Sequence, residues 1–369
     1  MKISSDLKIG ITSNHDENIW SNGLYQNIYH LFNILVEAGY KPDLVSEAAS
    51  ICEKTFMGNE IRHLTVDNCH EYDLIIEVHS TLSTTLADKY IKDLGKTAVT
   101  VQYGNEFLIT IVCNSIYKPD VGAKTYMPKR GSIWISPHFV HAQQPLSVLN
   151  RTDVEICPYI WSPTFLLNGQ KEEDLLFSKD WNLGNLAVLE SNLYYVKTCH
   201  VPMLIIEEFY RNNPEQVDNA FIFGSKILLD TPTFSRFAKD LLIVENKKMS
   251  FESRYRLPFI IKHGYSGIMV SHQVDNALNY LQLEAMYLGI PFVHNSDFFK
   301  DHGYYYNRYN AKDGAKQLEL AFNTHKNNYE YLRKRDLKRL YDFHPKNSKN
   351  IEGYARLIEN LVQKHIVKK

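Results

Sequence analysis

The sequence contains no apolar run approaching the roughly 20 residues that a helix needs to cross a bilayer, so no membrane-spanning helix is expected. Its five cysteines (Cys52, Cys69, Cys113, Cys157, Cys199) are odd in number, scattered, and never spaced as C-x-x-C. That removes a disulfide framework and the common zinc and redox patterns, leaving reduced, structural thiols. An excess of one charge is also missing. With 41 basic and 42 acidic residues the net charge is −1, and no global field draws the chain to nucleic acid or anionic lipid. Neither G-x-x-x-x-G-K-[ST] nor G-x-G-x-x-G occurs, so ATPase and simple dehydrogenase readings lack their fingerprints. The opening MKISSDLKIGITSN holds no apolar segment closed by a cleavage site, and with reduced thiols this points to the cytoplasm.

What is present is alternation. At 369 residues the chain suits two domains of about 150 to 200 residues each. Short apolar runs such as LKIGITS (7–13), YDLIIEVHS (72–80), TAVTVQYG (97–104), SIWISPHFV (132–140) and DVEICPYIW (153–161) alternate with amphipathic stretches such as YQNIYHLFNILVEAGY (25–40). Largely apolar strands between helices are the mark of parallel sheets covered on both faces. A polar stretch, NGQKEEDLLFSKDWN, reads as a linker. A second series follows: strand NLAVLES (185–191), helix CHVPMLIIEEFYR (199–211), then strands NAFIFGS (219–225), DLLIVEN (240–246), SGIMVSH (266–272) and PFVHNS (291–296). The chain after 310 reads as helical and charged. The fold expected is α/β, with two Rossmann-like doubly wound domains. The first spans 1–165, the second 180–345, and a final helix at 346–369 packs back on the first.

In such sheets ligands sit beyond the carboxyl ends of the strands, where helix N-termini offer free N–H groups to phosphate. SGIMVSH ends at Ser271 and His272, and Gln273 opens the loop QVDNALN. That loop leads into a helix carrying one acid, Glu284, in an otherwise apolar pattern. A carboxylate there can accept both hydroxyls of a ribose.

NALNYLQLEAMYLGIP, from Asn276 to Pro291, resembles the signature E-G-F-G-L-x-x-x-E-A-M-A-x-G-x-P of sugar-nucleotide glycosyltransferases of the GT-B architecture. Glu284, Ala285, Met286, Gly289 and Pro291 match at the right spacing. Asn276 stands for the first glutamate, and Ala277 and Asn279 stand for the two loop glycines. SNLYYVK, from Ser191 to Lys197, resembles the family's G-R-L-x-x-x-K, with Lys197 matching and Asn192 in the arginine position. The resemblance implies two domains facing a central cleft, with the nucleoside-diphosphate sugar on the second. Glu284 would take the ribose. Asn192, Lys197, Ser271, His272, Gln273, Ala277, Leu278 and Asn279 would surround the diphosphate, and Asn276 would meet the donor sugar. Arg254, Arg256 and Lys262 are the cations able to replace the missing arginine. Further stretches, among them NIWSNGLYQN, PYIWSP, VKTCHVPML and NYLQLE, resemble a bacterial and viral family known only as a domain of unknown function with GT-B-like character.

In GT-B proteins the loop after the first strand faces the reacting sugar. Here it carries His15, Asp16 and Glu17, three proton acceptors suited to a general base. Trp20 either stacks on a sugar or staples the helix that follows Gly23. His79, Tyr103 and Glu106 also fall on the acceptor side. No D-x-D occurs, and His138 with His141 lack a third ligand, so no obligatory metal and no cofactor beyond the nucleotide sugar are expected. The reading is a glycosyltransferase acting on a glycan or glycoconjugate in the cytoplasm (the host cytoplasm if the chain is virus-encoded). One alternative is transfer to a hydroxymethylated base in modified DNA. Another is a non-catalytic sugar-nucleotide-binding protein.

Overall fold

The computed structural model describes residues 7–13, 23–78, 80–113, 126–127 and 129–367. The chain divides into two compact units, the first made of residues 1–162 with 342–369, the second of residues 163–341.

The first unit holds β1 (Lys8–Thr12), β2 (Lys41–Ser46), β3 (Thr55–Phe56), β4 (Asn59–His63), β5 (Leu74–Glu77), β6 (Thr97–Gln102), β7 (Ser132–Ile135) and β8 (Asp153–Ile156). They form one sheet in the order β3-β4-β2-β1-β5-β6-β7-β8. Every pairing is parallel except β3 with β4. Central strands β5 and β6 are buried at every residue, as continuous apolar runs require when both faces are covered, while β8 at the edge is partly exposed. Helix Gly23–Glu37 buries Ile28, Leu31, Ile34 and Leu35 on one stripe. Helix Ser348–Val367 packs against it, and Tyr354 meets Trp134 edge-on at 6.2 Å. Inside this unit Glu77 closes β5 with a fully buried carboxylate. It accepts from Arg130 Nη2 at 2.7 Å and Nε at 3.0 Å, Thr100 Oγ1 at 2.5 Å and Leu82 N at 2.7 Å. A buried charge needs such full pairing to persist.

The second unit holds β9 (Asn185–Val188), β10 (Asn219–Ile222), β11 (Met249–Phe251), β12 (Ile268–Val270), β13 (Phe292–His294) and β14 (Tyr304–Tyr305). Their order is β11-β10-β9-β12-β13-β14, all parallel. Leu186, Val188 and Ile222 of the sheet meet Met203, Ile206 and Phe209 of helix His200–Asn212 and Leu318 of helix Ala311–Leu340 in one core.

Two expectations meet a different structure here. DLLIVEN is no strand: Leu242–Glu245 is a turn of helix, and the strand is Met249–Phe251. Glu207, 3 % exposed, decides this, because its carboxylate accepts from Leu242 N at 3.0 Å and Ile243 N at 3.1 Å. An acid from another helix thus satisfies the N–H groups that a helix start leaves open. The stretch read as a linker packs on the second unit. Phe177 donates its N–H to Leu288 O at 2.9 Å, and its ring meets His325 at 4.8 Å and Tyr329 at 5.4 Å. Among the described residues no helix is long and apolar enough to cross a membrane.

Candidate functional site

The strand order of the second unit reverses at β9, with β10 and β11 on one side and β12 to β14 on the other. In parallel sheets such a reversal is the place at the strands' carboxyl ends where ligands are commonly held. The loops leaving β9 and β12 are joined at their tips. Lys197 and Gln273 form an isolated antiparallel bridge, and Val274 N donates to Val196 O at 3.0 Å.

An acid ends the β9 segment. Glu190 is 2 % exposed, and its Oε1 accepts from Ser271 Oγ at 2.6 Å and from the His272 N–H at 3.2 Å. Its Oε2 lies 3.5 Å from Gln273 Nε2. Gln273 Oε1 in turn accepts from Asn276 Nδ2, and Asn295 exchanges two bonds with the Gln273 backbone at 2.9 and 2.8 Å. Burial pushes the Glu190 carboxyl up to about 7, against the Ser271 bond, Lys197 and the His272 N–H.

Asn192 adopts a left-handed conformation (φ 54°), which a short polar side chain tolerates better than most. Its Nδ2 donates to Glu190 O at 3.0 Å and Gly224 O at 3.3 Å, and its Oδ1 accepts from Cys199 N at 2.8 Å. The side chain is thus committed to shaping the loop. Gly224 (φ +70°) must be glycine, since a Cβ there would sit 2.8 Å from Glu190 O.

Lys197 leaves this loop half-buried, and its amine makes no hydrogen bond or ion pair with a described residue. Burial holds the ammonium below its ordinary value, Glu190 pulls it back, and Arg254 adds to the lowering. Arg254 follows β11, whose exit is fixed over β10: Glu252 O accepts from Ser225 N and Lys226 N at 3.2 Å, and Tyr255 meets Phe223 edge-on at 6.1 Å. Of the three cations considered as replacements for the missing arginine, Arg254 is the one coupled to Lys197. Lys262 faces Asp174 at 3.5 Å.

His272 is 2 % exposed and held neutral, burial lowering it to about 4. The Tyr306 hydroxyl donates to Ser271 O at 3.0 Å, so it accepts at 2.9 Å from His272, whose Nδ1 carries the proton. The Nε2 lone pair is then buried without a partner.

Helix Tyr280–Leu288 starts at Asn279, whose side chain accepts from Leu281 N at 3.0 Å, and ends at Gly289 (φ +72°). Tyr280, Leu283, Ala285, Met286 and Leu288 are buried. Leu281, Glu284 and Tyr287, at spacing of three, form its part-exposed stripe. By accessible surface Glu284 is only half-buried, yet it is crowded enough that desolvation alone pushes its carboxyl up to about 8. No described residue bonds or pairs with that carboxyl.

Among the residues expected on the donor side, the structure joins Asn192, Lys197, Ser271, His272, Gln273 and Asn276 through these bonds. Ala277 O accepts from Ser296 Oγ, Leu278 lies in the core at 2 % exposure, and Asn279 is a helix cap. On the acceptor side, Gly23 is the first residue of its helix. The Tyr103 hydroxyl is spent on Tyr354 at 3.0 Å, which itself donates to Pro158 O at 2.9 Å. Glu106 sits in the first turn of a helix capped by Asn105. His141 meets Asn105 Nδ2 at 3.3 Å, and His138 packs on Phe139 and Tyr159. His15, Asp16, Glu17, Trp20 and His79 lie outside the described residues. Sequence reasoning passed over Glu190 and Tyr306. The signal for Glu190 was an acid closing the apolar run NLAVL, where a parallel strand should meet its ligand.

A family profile described as "Protein of unknown function (DUF2827)" matches residues 8–358. The chain belongs to the DUF2827 family. No curated protein matches this DUF2827 chain. Among solved structures it is similar to a glycosyltransferase from Rickettsia africae, at 13 % identity and TM-score 0.56 over 98 % of each chain. It is also similar to HepE from Anabaena in complex with UDP and glucose, at 11 % identity and TM-score 0.58 over 96 % of this chain and 99 % of that one. A third is a DNA-modifying β-glucosyltransferase, solved with and without uridine diphosphoglucose, at 11 % identity and TM-score 0.54 over 97 % and 100 %. Identities this low show the fold alone: DUF2827 has the α/β fold with parallel sheets found in GT-B glycosyltransferases.

Proposed function

We propose that this chain is a metal-independent glycosyltransferase that moves a sugar from a nucleoside-diphosphate sugar to an acceptor hydroxyl. The observation that carries the reading is the Lys197–Gln273 bridge, which sets an unpartnered cation beside the loop leading to Glu284 at the sheet's switch point. Lys197 and Arg254 are suited to the diphosphate, together with N–H groups of the loop before helix Tyr280–Leu288. Glu284, a crowded carboxyl with no protein partner, is suited to the ribose hydroxyls. Solved proteins of the same fold that hold UDP, with glucose, support this choice of ligand.

In the reaction the acceptor oxygen bonds to the anomeric carbon while the bond from that carbon to the diphosphate breaks. The nucleoside diphosphate leaves, and the acceptor's proton passes to a base. His15, Asp16 and Glu17 are the groups proposed for that base. A glycan or glycoconjugate is the proposed acceptor. Similarity to a DNA-modifying enzyme favours a hydroxymethylated base as the second reading, and the net charge of −1 weighs against it.

Incubation with UDP-, GDP- and TDP-sugars, followed by thermal shift and free-nucleotide release, tests the reading. Stabilisation that disappears in Glu284→Ala supports it. Stabilisation without turnover on any glycan or DNA acceptor would leave a non-catalytic binder, and no stabilisation by any nucleotide would refute the donor site.

A further inference from the structure

Glu190 has no part in the reaction just described, yet its side chain is bonded to the turn after β12 and its charge reaches the elements around it. It bonds Ser271 and His272 and approaches Gln273 after β12, and its charge is felt by Lys197 on its own loop and by Cys199 just before helix His200–Asn212. Tyr306 after β14 also feels its charge. Of these, His272 is neutral, and Cys199 and Tyr306 are raised, so Lys197, which attracts Glu190 across a distance longer than an ion pair, is the charged group that compensates its carboxylate, with Arg254 one step behind. The two oxygens are not equivalent. Oε1 is saturated by the Ser271 hydroxyl and the His272 N–H, while Oε2 has only the 3.5 Å approach of Gln273 Nε2. A proton therefore has room on Oε2 and none on Oε1.

An incoming diphosphate competes for the same cation. Once Lys197 pairs with phosphate, an ionised Glu190 would be buried beside two anionic groups with nothing left to neutralise it. Resting on the donor-site reading above, we propose that Glu190 is a positioning residue that holds the β12 turn and is protonated at Oε2 whenever a diphosphate occupies Lys197. Nucleotide-sugar binding is then coupled to uptake of a solvent proton, returned on release. Burial already places this carboxyl near neutrality, where the uptake is easily supplied.

The test is isothermal titration of the full-length protein with UDP-glucose, GDP-mannose and TDP-glucose. Buffers of different ionisation enthalpy count the protons, and wild type is compared with Glu190→Gln. Glu284 titrates in both proteins and cancels in the difference. Wild type should take up as much as one proton more than the variant and lose up to about tenfold more affinity between about pH 6.5 and 8. Ser271→Ala is the second variant. Loss of its bond to the carboxylate should move the wild-type pH midpoint upward, an effect that a purely structural Glu190 would not produce. Equal proton counts and equal pH profiles in wild type and Glu190→Gln, or an unmoved midpoint in Ser271→Ala, would overturn the assignment while leaving the anion site standing. Failure of all three nucleotides to bind wild type would overturn the donor site itself.

Discussion

Glu284→Gln should make the unliganded protein more stable in alkali while weakening its hold on nucleotide. In the folded chain desolvation raises the Glu284 carboxyl from 4.5 to about 8. Between those values the folded state binds more protons than the unfolded one, so stability falls as pH rises from about 4.5 and levels off above about 8. Each pH unit of that window is worth about 1.4 kcal/mol, which sets a ceiling of about 4 to 5 kcal/mol at the alkaline end. Part of the side chain reaches solvent, and screening reduces the figure to about 2 kcal/mol. For a unit of this size that corresponds to roughly 4 to 8 °C in melting temperature. Scanning calorimetry of wild type and Glu284→Gln at about pH 5.5 and about pH 8.5 reads it directly. Glu190 contributes a slope of the same sign to both proteins, so the difference between them isolates Glu284. The variant should gain on wild type as pH rises, and its nucleotide affinity should fall about tenfold, since an amide offers one acceptor oxygen where a carboxylate offers two. A stability difference that does not change with pH would mean that the Glu284 carboxyl is as well solvated folded as unfolded, and its desolvation would be disproved.

Lys197→Ala should reduce nucleotide-sugar affinity by about 10- to 100-fold, read by titration calorimetry. Titration calorimetry of Arg254→Ala should give a loss of similar kind, and Lys262→Ala, whose ammonium pairs with Asp174, should give none. Glu77→Ala should destabilise the first unit by about 3 to 5 kcal/mol, because it removes the carboxylate that meets Arg130, Thr100 and the Leu82 N–H in the core, and chemical denaturation will register it. Glu207→Ala should cost about 1 to 2 kcal/mol by uncapping Leu242–Glu245, seen as a lower melting temperature for the second unit.

The alternation of apolar runs with amphipathic helices was enough to place β1, β5, β6, β9, β10 and β12, because a strand buried on both faces must be apolar throughout. It was not enough for Leu242–Glu245. That run is as apolar as a strand, and what makes it helical is a carboxylate from helix His200–Asn212, a contact no local pattern encodes. The site divides in the same way. Glu284 stands out in the sequence as the acid of an apolar helical pattern, and Lys197 enters through the resemblance to G-R-L-x-x-x-K; the roles given to both are proposals. Asn192 and Asn276 carry no such signal: they occupy positions where the resemblance leads one to expect charge. Only the fold shows that one pins the β9 loop through three bonds and that the other reaches Glu190 through Gln273. Which buried group carries charge depends on what surrounds it in space. The acid at the end of β9 acquired its partners when β12 was laid beside β9, and its distance from them along the chain concealed them.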